Sequence, residues 1–321
     1  MQVVLYHNHL LSNGDGFPAM LESVDSAVTI GSFDGVHRGH RKIISSMLET
    51  ARLRSLRSVV VTFEPHPRLV VNADAGDRLE VLTTLDEKTA QIAALGVDLL
   101  VVVRFTPELA RWSSERFIEE LLAVTLSAKS VTVGYDHGFG KGRSGSGATL
   151  AGLGRKFGFT VQVVEELRIE REHISSTRIR SLLKSGQIGE ANSFLGAPYV
   201  ISGIVVDGRK LGRELGFPTV NLKIIEREKL LPRRGVYIAI TQIESKTYRA
   251  MMNIGIRPTV AEQECEGSVE AHILGFSGSL YGMELRFSLL GFIRDEKKFD
   301  SFEALREQLE KDKKTMELFF E

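Results

Sequence analysis

Three stretches of the sequence combine residue types at spacings that could do chemistry on a phosphorylated ligand. The first is Gly31-Ser-Phe-Asp-Gly-Val-His-Arg-Gly-His40. Its glycines permit a tight turn and close approach of backbone to a ligand. A helical pattern begins at its end, and a helix N-terminus attracts anions through unpaired amides and the positive end of its dipole. His37 and His40 would stand beside a bound phosphate. There they could donate hydrogen bonds to oxygens that gain negative charge during phosphoryl or nucleotidyl transfer. Gly31, Phe33, Asp34, Gly35 and Gly39 form the expected phosphate-binding turn around them.

The second stretch is Ile174-Ser-Ser-Thr-Arg-Ile-Arg180. A serine cap opens a helix there, and its amides, hydroxyls and arginines could hold the terminal phosphates of ATP. Taken alone it reads better as a capped surface helix. The third lies further on, as Gly203-Ile-Val-Val-Asp-Gly-Arg-Lys-Leu-Gly-Arg213 followed by Leu215-Gly-Phe-Pro-Thr-Val-Asn221. Gly208, Gly212 and Arg213 could close over polyphosphate. Thr219 and Asn221 offer hard oxygen ligands of the kind Mg²⁺ accepts alongside waters and nucleotide phosphates. Glu270, within the apolar run Val269-Glu-Ala-His-Ile-Leu274, is a candidate general base, because a carboxylate in an apolar strand is costly unless paired or used. A solvent-facing glutamate is the alternative there.

The elements that must carry these residues divide into two rhythms. Up to about Ser185, valine-rich runs (Ser26–Ile30, Ser58–Phe63, Val97–Val103, Ser130–Gly134, Thr160–Val164) alternate with helical spacing at His40–Arg54, Asp86–Leu95, Ser113–Val124 and Thr149–Phe157. That alternation predicts a Rossmann-like α/β domain, a parallel sheet covered on both faces with ligands at the carboxyl ends of its strands. Afterwards Tyr199–Val206, Gly235–Gln242, Thr247–Asn253, Val269–Leu274 and Met283–Phe292 follow one another without helices. They predict a small antiparallel β-barrel, closed off by a C-terminal helix capped by Asp300 and facing inward through Phe302, Leu305 and Leu309. The expected domains are 1–185 and 186–321.

The 321 residues suit two domains, and 41 basic residues balance 41 acidic ones, so no surface built for nucleic acid is indicated. A single cysteine, Cys265, fits a reducing compartment. Without a signal-like start or a run of about 20 apolar residues, the chain reads as cytoplasmic and away from the membrane.

In both halves the motifs resemble those of prokaryotic bifunctional riboflavin kinase/FAD synthetases. The first half carries the H-x-G-H segment, Thr62-Phe-Glu-Pro-His-Pro67 and the Ser175–Arg180 motif. The second carries Gly-Phe-Pro-Thr219, Arg234-Gly-Val-Tyr237, Asn253-Ile-Gly-Ile-Arg-Pro-Thr259, Leu280-Tyr-Gly282 and Arg294-Asp-Glu-Lys-Lys-Phe299. The resemblance implies an H-x-G-H nucleotidyltransferase domain in which the FMN phosphate attacks the α-phosphorus of ATP and pyrophosphate leaves. His37 and His40 would stabilise the transition state, and Ser175, Ser176, Thr177 and Arg180 would orient the pyrophosphate. It also implies a riboflavin kinase barrel, with Glu270 accepting the proton of the ribityl hydroxyl, Thr219 and Asn221 holding Mg²⁺, and Asn253 and Arg257 contacting flavin. Asp136 and Phe139 are the implied flavin contacts of the first half. Here the chain reads Asp136-His-Gly-Phe-Gly140 where the family usually shows Asp-Phe-Arg-Phe-Gly, which puts the strength of FAD formation in doubt. The implied ligands are ATP, riboflavin, FMN and FAD, and the expected state is a monomer or weak homo-oligomer. A kinase-only enzyme and a non-catalytic regulator touching RNA through Arg178, Arg180 and Lys184 are the competing readings.

Overall fold

The computed structural model describes residues 1–7, 10–12, 24–72, 79–136, 138, 140, 145, 147–169, 172–208, 212, 215–257 and 266–321, apart from the side chains of 256, 257, 266 and 267. The chain groups into two compact units, Met1–Ser175 and Ser176–Glu321.

In the first unit, β1 (Gln2–His7), β2 (Leu10–Ser12), β3 (Ser26–Ile30), β4 (Arg57–Glu64), β5 (Leu99–Arg104), β6 (Ala128–Gly134) and β7 (Thr160–Val164) make a sheet of order β2-β1-β5-β4-β3-β6-β7. All its pairings are parallel except β1 with β2. The valine runs become the central strands because both faces are covered and alternation is not required of them. One face packs Ala27, Val60, Leu100 and Val102 against Ile44 and Met47 of α1 (Arg38–Arg54) and Ile92 of α3 (Leu85–Ala93). The other packs Val28, Val59, Val101 and Val131 against Trp112, Phe117 of α4 (Ser114–Phe117), Leu121 and Leu150 of α5 (Gly147–Phe157).

Because β3 leads to β4 on one side and has β6 on the other, the chain reverses its direction of growth between β3 and β6. In open α/β sheets ligands bind outside the carboxyl ends of strands at such a switch point. The H-x-G-H segment leaves β3 there, and Asp136 leaves β6.

Two expectations of the first half needed revision. The edge pair β1–β2 was not anticipated. The single helix expected over Ser113–Val124 is one α-turn, Ser114–Phe117, running into a wider π-turn, Ile118–Thr125. The wider pitch shows in the Leu126 amide donating to the Leu121 carbonyl at 3.0 Å and the Thr125 hydroxyl reaching the Glu120 carbonyl at 2.6 Å.

After β7 the short strands β8 (Arg168–Ile169) and β9 (Glu172–His173) pair antiparallel. The second unit then begins with α6 (Ser176–Ser185) and α7 (Ile188–Leu195) and continues into a closed antiparallel barrel of order β10-β11-β14-β13-β12-β15. Its strands are β10 (Tyr199–Val206), β11 (Thr219–Lys223), β12 (Gly235–Ile243), β13 (Lys246–Arg257), β14 (Glu266–Ile273) and β15 (Glu284–Arg294). β10 closes the cylinder against β15.

The C-terminal helix, Phe302–Phe319, is capped by Ser301, whose hydroxyl accepts the Ala304 amide, and not by Asp300. Phe302 is exposed, and the packing face is built from Leu309, Met316 and Phe320 against Phe217, Ile238 and Met251. Asp312 also points inward, at 1% exposure, and meets Arg294 of β15 in a two-pronged ion pair at 2.7–3.0 Å. The charge-rich stretch 307–314 therefore carries a buried carboxylate.

Candidate active sites

The loop from β3 to α1 is held in an uncommon backbone path. Phe33 and Val36 adopt φ of +46° and +40°, left-handed values that cost strain in residues with a side chain, and Gly35 lies between them at +86°. What pays for this is a tether. Asp34, 2% exposed, accepts the amides of Leu82 at 2.8 Å and Thr83 at 3.1 Å through Oδ1, and the Gly35 amide donates to Thr83 Oγ1 at 3.0 Å. Phe33 is buried beneath Gly31, its ring edge-on to His40 at 5.3 Å. The structure thus points Phe33 and Asp34 into the protein, where they fix the loop, while Gly31, Gly35 and Gly39 line its backbone.

His37 is the N-cap of α1, and its Nδ1 accepts the His40 amide at 3.2 Å. That bond assigns the His37 proton to Nε2. The His37 and His40 rings stack at 3.5 Å with 15° between their planes. Desolvation, then the charges of His37 and Lys88, hold the His40 imidazole well below its usual pKa. Two stacked imidazolium ions would repel, so the arrangement disfavours a second positive charge on the pair. His40 Nδ1 is buried without a hydrogen-bond partner among the described residues.

Lys88 was not singled out by the sequence. It lies on α3, nearly fully buried, and its Nζ donates to Thr62 Oγ1 at 3.4 Å. Thr62 in turn donates to the Ser32 carbonyl at 3.1 Å, so the end of β4 is tied to the same loop. In the Thr62–Pro67 stretch, His66 caps α2 (Pro67–Val71) by accepting the Arg68 amide.

Asp136 sits in the turn after β6. Phe139 and His137 lie outside the described residues. Ser175 ends the first unit, and Ser176, Thr177 and Arg180 occupy the opening turns of α6 in the second. Arg178 is engaged with Glu190 of α7 at 3.2 Å.

In the barrel, cross-strand register assembles the second site. Glu270 of β14 stands opposite Asn221 of β11 on one side and Asn253 of β13 on the other. The row Asn221–Glu270–Asn253 therefore crosses three strands on one face, the face that two residues along β13 carries Met251 against the C-terminal helix. Thr219 stands opposite His272 in the next row. His272, also missed from sequence, lies 2.8 Å through Nδ1 from the Pro218 carbonyl and packs edge-on to Phe217 at 5.2 Å. Only a donor satisfies a carbonyl, so Nδ1 carries the proton and anchors the turn into Thr219. Gly208, after β10, is packed against the Asn221 side chain so closely that a Cβ there would fall 1.9 Å from Nδ2. Gly212 is described, whereas Arg213 and the Arg257 side chain lie outside the described residues.

The architecture is that of a nucleotidyltransferase-type α/β unit joined to a six-stranded barrel. A family model for FAD synthetase matches residues 20–178, and one for riboflavin kinase matches residues 195–320. The bifunctional riboflavin kinase/FMN adenylyltransferase of Listeria monocytogenes is 36% identical over 92% of this chain and 93% of its own length. That of Escherichia coli K12 is 37% identical over 91% and 92%. Among solved structures, a Streptococcus pneumoniae protein described as a macrolide-efflux protein superposes with a TM-score of 0.87 at 30% identity, covering 99% of both chains. Among the described residues no helix is long and apolar enough to cross a membrane. The chain belongs to the bifunctional riboflavin kinase/FMN adenylyltransferase family. It phosphorylates riboflavin to FMN with ATP and adenylylates FMN to FAD with release of pyrophosphate.

Proposed function

We propose that the stacked His37–His40 pair is the catalytic centre of FAD formation and the Asn221–Glu270–Asn253 row that of FMN formation. The observation that carries the first assignment is the stacked pair of imidazole rings at the N-terminus of α1, at the switch point of the parallel sheet. With FMN's phosphate attacking the α-phosphorus of ATP, charge builds on the non-bridging oxygens. Two imidazole N–H groups and the free amides of α1 would meet it without prior reorganisation. The loop backbone at Gly31, Gly35 and Gly39 lets the phosphates approach, and Phe33 and Asp34 act from beneath by fixing that loop. Ser175, Ser176, Thr177 and Arg180 hold the leaving pyrophosphate, a role supported for the last three by their place in the opening turns of a ten-residue helix. Arg180 supplies the positive charge of that motif. Asp136 and Phe139 contact the flavin. The functional boundary falls at 185/186, within the interval 179–194 that separates the two family matches.

In the barrel, Glu270 accepts the proton of riboflavin's terminal ribityl hydroxyl as the γ-phosphoryl arrives. Thr219 and Asn221 fit Mg²⁺ by their chemistry: a hydroxyl and an amide carbonyl are hard donors, few enough to leave places for phosphate oxygens. Mg²⁺ bound there would neutralise phosphate charge during transfer. Asn221 is buried and pressed on by the Gly208 backbone, which limits the directions its carboxamide can take. Gly208, Gly212 and Arg213 close on the phosphates, and Asn253 and Arg257 contact flavin. The need for ATP supports a cytosolic setting, and the even charge balance supports the absence of a nucleic-acid partner.

A time course tests the division. With riboflavin, Mg²⁺ and excess ATP, FMN should appear first and FAD should follow. In His40→Ala, FMN should accumulate while FAD formation falls by roughly 10²- to 10³-fold. Equal loss of both products in that variant would overturn the assignment.

A further inference from the structure

Lys88 is a charge buried where the helix pattern called for an apolar side chain. It lies 3% exposed on the same face of α3 as Ile92, one turn later, which is part of the core against the sheet. A lysine in such a position is costly unless its charge is paired or used. The groups around it are those of the H-x-G-H site. Thr62 Oγ1 is 3.4 Å away, and the carboxylates of Asp34 and Glu64 oppose the desolvation of the ammonium. Asp34 is the tether of the loop, and Thr62 reaches the Ser32 carbonyl within it.

The geometry points to Lys88 as a positioning residue for FMN adenylylation: from beneath the loop its ammonium holds Asp34, Thr62 and Glu64 in one arrangement and sets the field in which His40 works. The inference rests on the reading of His40 as a neutral hydrogen-bond donor to the reacting phosphate. The ionisable groups that act on His40 are His37 at the cap of its own helix and Lys88 on α3, and Lys88 in turn faces Asp34 on the loop and Glu64 at the end of β4. Glu87 is committed to the capping box with Thr84. That leaves Lys88 as the cation that opposes a second positive charge on His40, in keeping with the direction of the His40 shift. Removing it makes the imidazolium easier to form, so the acid side of the FAD-forming profile should move to higher pH.

The test uses the full chain, whose riboflavin kinase activity serves as an internal control. FAD formation from FMN and ATP is followed against pH for the wild type, Lys88→Met, Lys88→Arg and His40→Gln. For Lys88→Met the expected result is a loss in kcat of roughly 10- to 100-fold, with an acid limb displaced upward by about half a unit or more. Lys88→Arg should return the limb toward its original position, and kinase rates should be unchanged throughout. If Lys88→Met fails to fold, Lys88→Gln takes its place with the same expectations. A wild-type rate and profile without the lysine, while His40→Gln is inactive, would overturn the role of Lys88 alone. A lower rate with an unmoved acid limb would likewise overturn it, showing that Lys88 serves only the core. An active His40→Gln would instead bring down the reading of His40 on which the inference stands.

Discussion

Glu270 is the direct cross-strand partner of Asn221, one on β14 and the other on β11 of the barrel. A carboxylate is thereby placed one strand away from an amide oxygen suited to a divalent cation. A base and a metal ligand for phosphoryl transfer belong about that close, since the attacking hydroxyl and the phosphate it attacks must meet.

The first prediction follows from that pair. Glu270→Gln should lower FMN formation from riboflavin by roughly 10²- to 10⁴-fold, while FAD formation from supplied FMN stays near wild type. Both rates can be read by chromatography of the flavins. A kinase rate unchanged in this variant would remove Glu270 from its role.

Gly208 offers a subtler test of the same site. A methyl group there would lie 1.9 Å from Asn221 Nδ2 and 2.5 Å from its Cγ, so Gly208→Ala should force the buried carboxamide to turn. Misplacement of a positioning group by about 1 Å can cost up to about 10²-fold in rate. The variant should show a lower kinase rate and need more Mg²⁺ to reach half-maximal velocity, with FAD formation unaffected. An unchanged Mg²⁺ requirement would argue against Asn221 as a ligand.

His40 makes a prediction about stability as a function of pH. Its folded pKa lies well below the ordinary histidine value of 6.5, so in mildly acid solution the unfolded chain binds the proton that the folded chain refuses. The stabilisation is whole above about pH 6.5 and is lost as pH falls toward the folded pKa. The chain has one tryptophan, Trp112, buried in the first unit, whose fluorescence reports that unit's unfolding. The wild-type midpoint should fall between about pH 7 and pH 5.5, and His40→Gln should flatten that decline. Equal slopes would mean that His40 is not the group refusing the proton.

Asp312 bears on the barrel. Removing it leaves Arg294 without the partner of its two-pronged pair, and losing one member of a buried pair costs about 3–5 kcal/mol. Asp312→Ala should bring thermal loss of kinase activity to a lower temperature while the Trp112 transition stays in place. A kinase that is as heat-stable as the wild type would show that the pair contributes little.

These residues also show what the sequence could and could not tell. The valine runs, the glycines at turns and the histidine spacing are local signals, and they located the parallel sheet, most of the barrel strands and the H-x-G-H loop within a few residues. β11 went unread because Thr219-Val-Asn221 was taken for a ligand motif only, although a strand is what aligns it with Glu270. Lys88 and Asp312 went unread because a charged residue on an amphipathic helix normally faces water. Only tertiary partners, Thr62 with Asp34 and Glu64 for one and Arg294 for the other, make the inward position tolerable. The cap moved from Asp300 to Ser301 because either residue can accept an amide, and the chain path decides which one does.

The row Asn221–Glu270–Asn253 has a further implication for how such a chain can change over time. Its members sit on three separate strands, and backbone ladders alone keep them level. Deleting or inserting one residue within β11, β13 or β14 would send its member to the opposite face of the barrel wall. Drift in length is therefore confined to the connections between strands. Substitutions can tune the chemistry of the row, but its alignment can only be kept or lost as a whole.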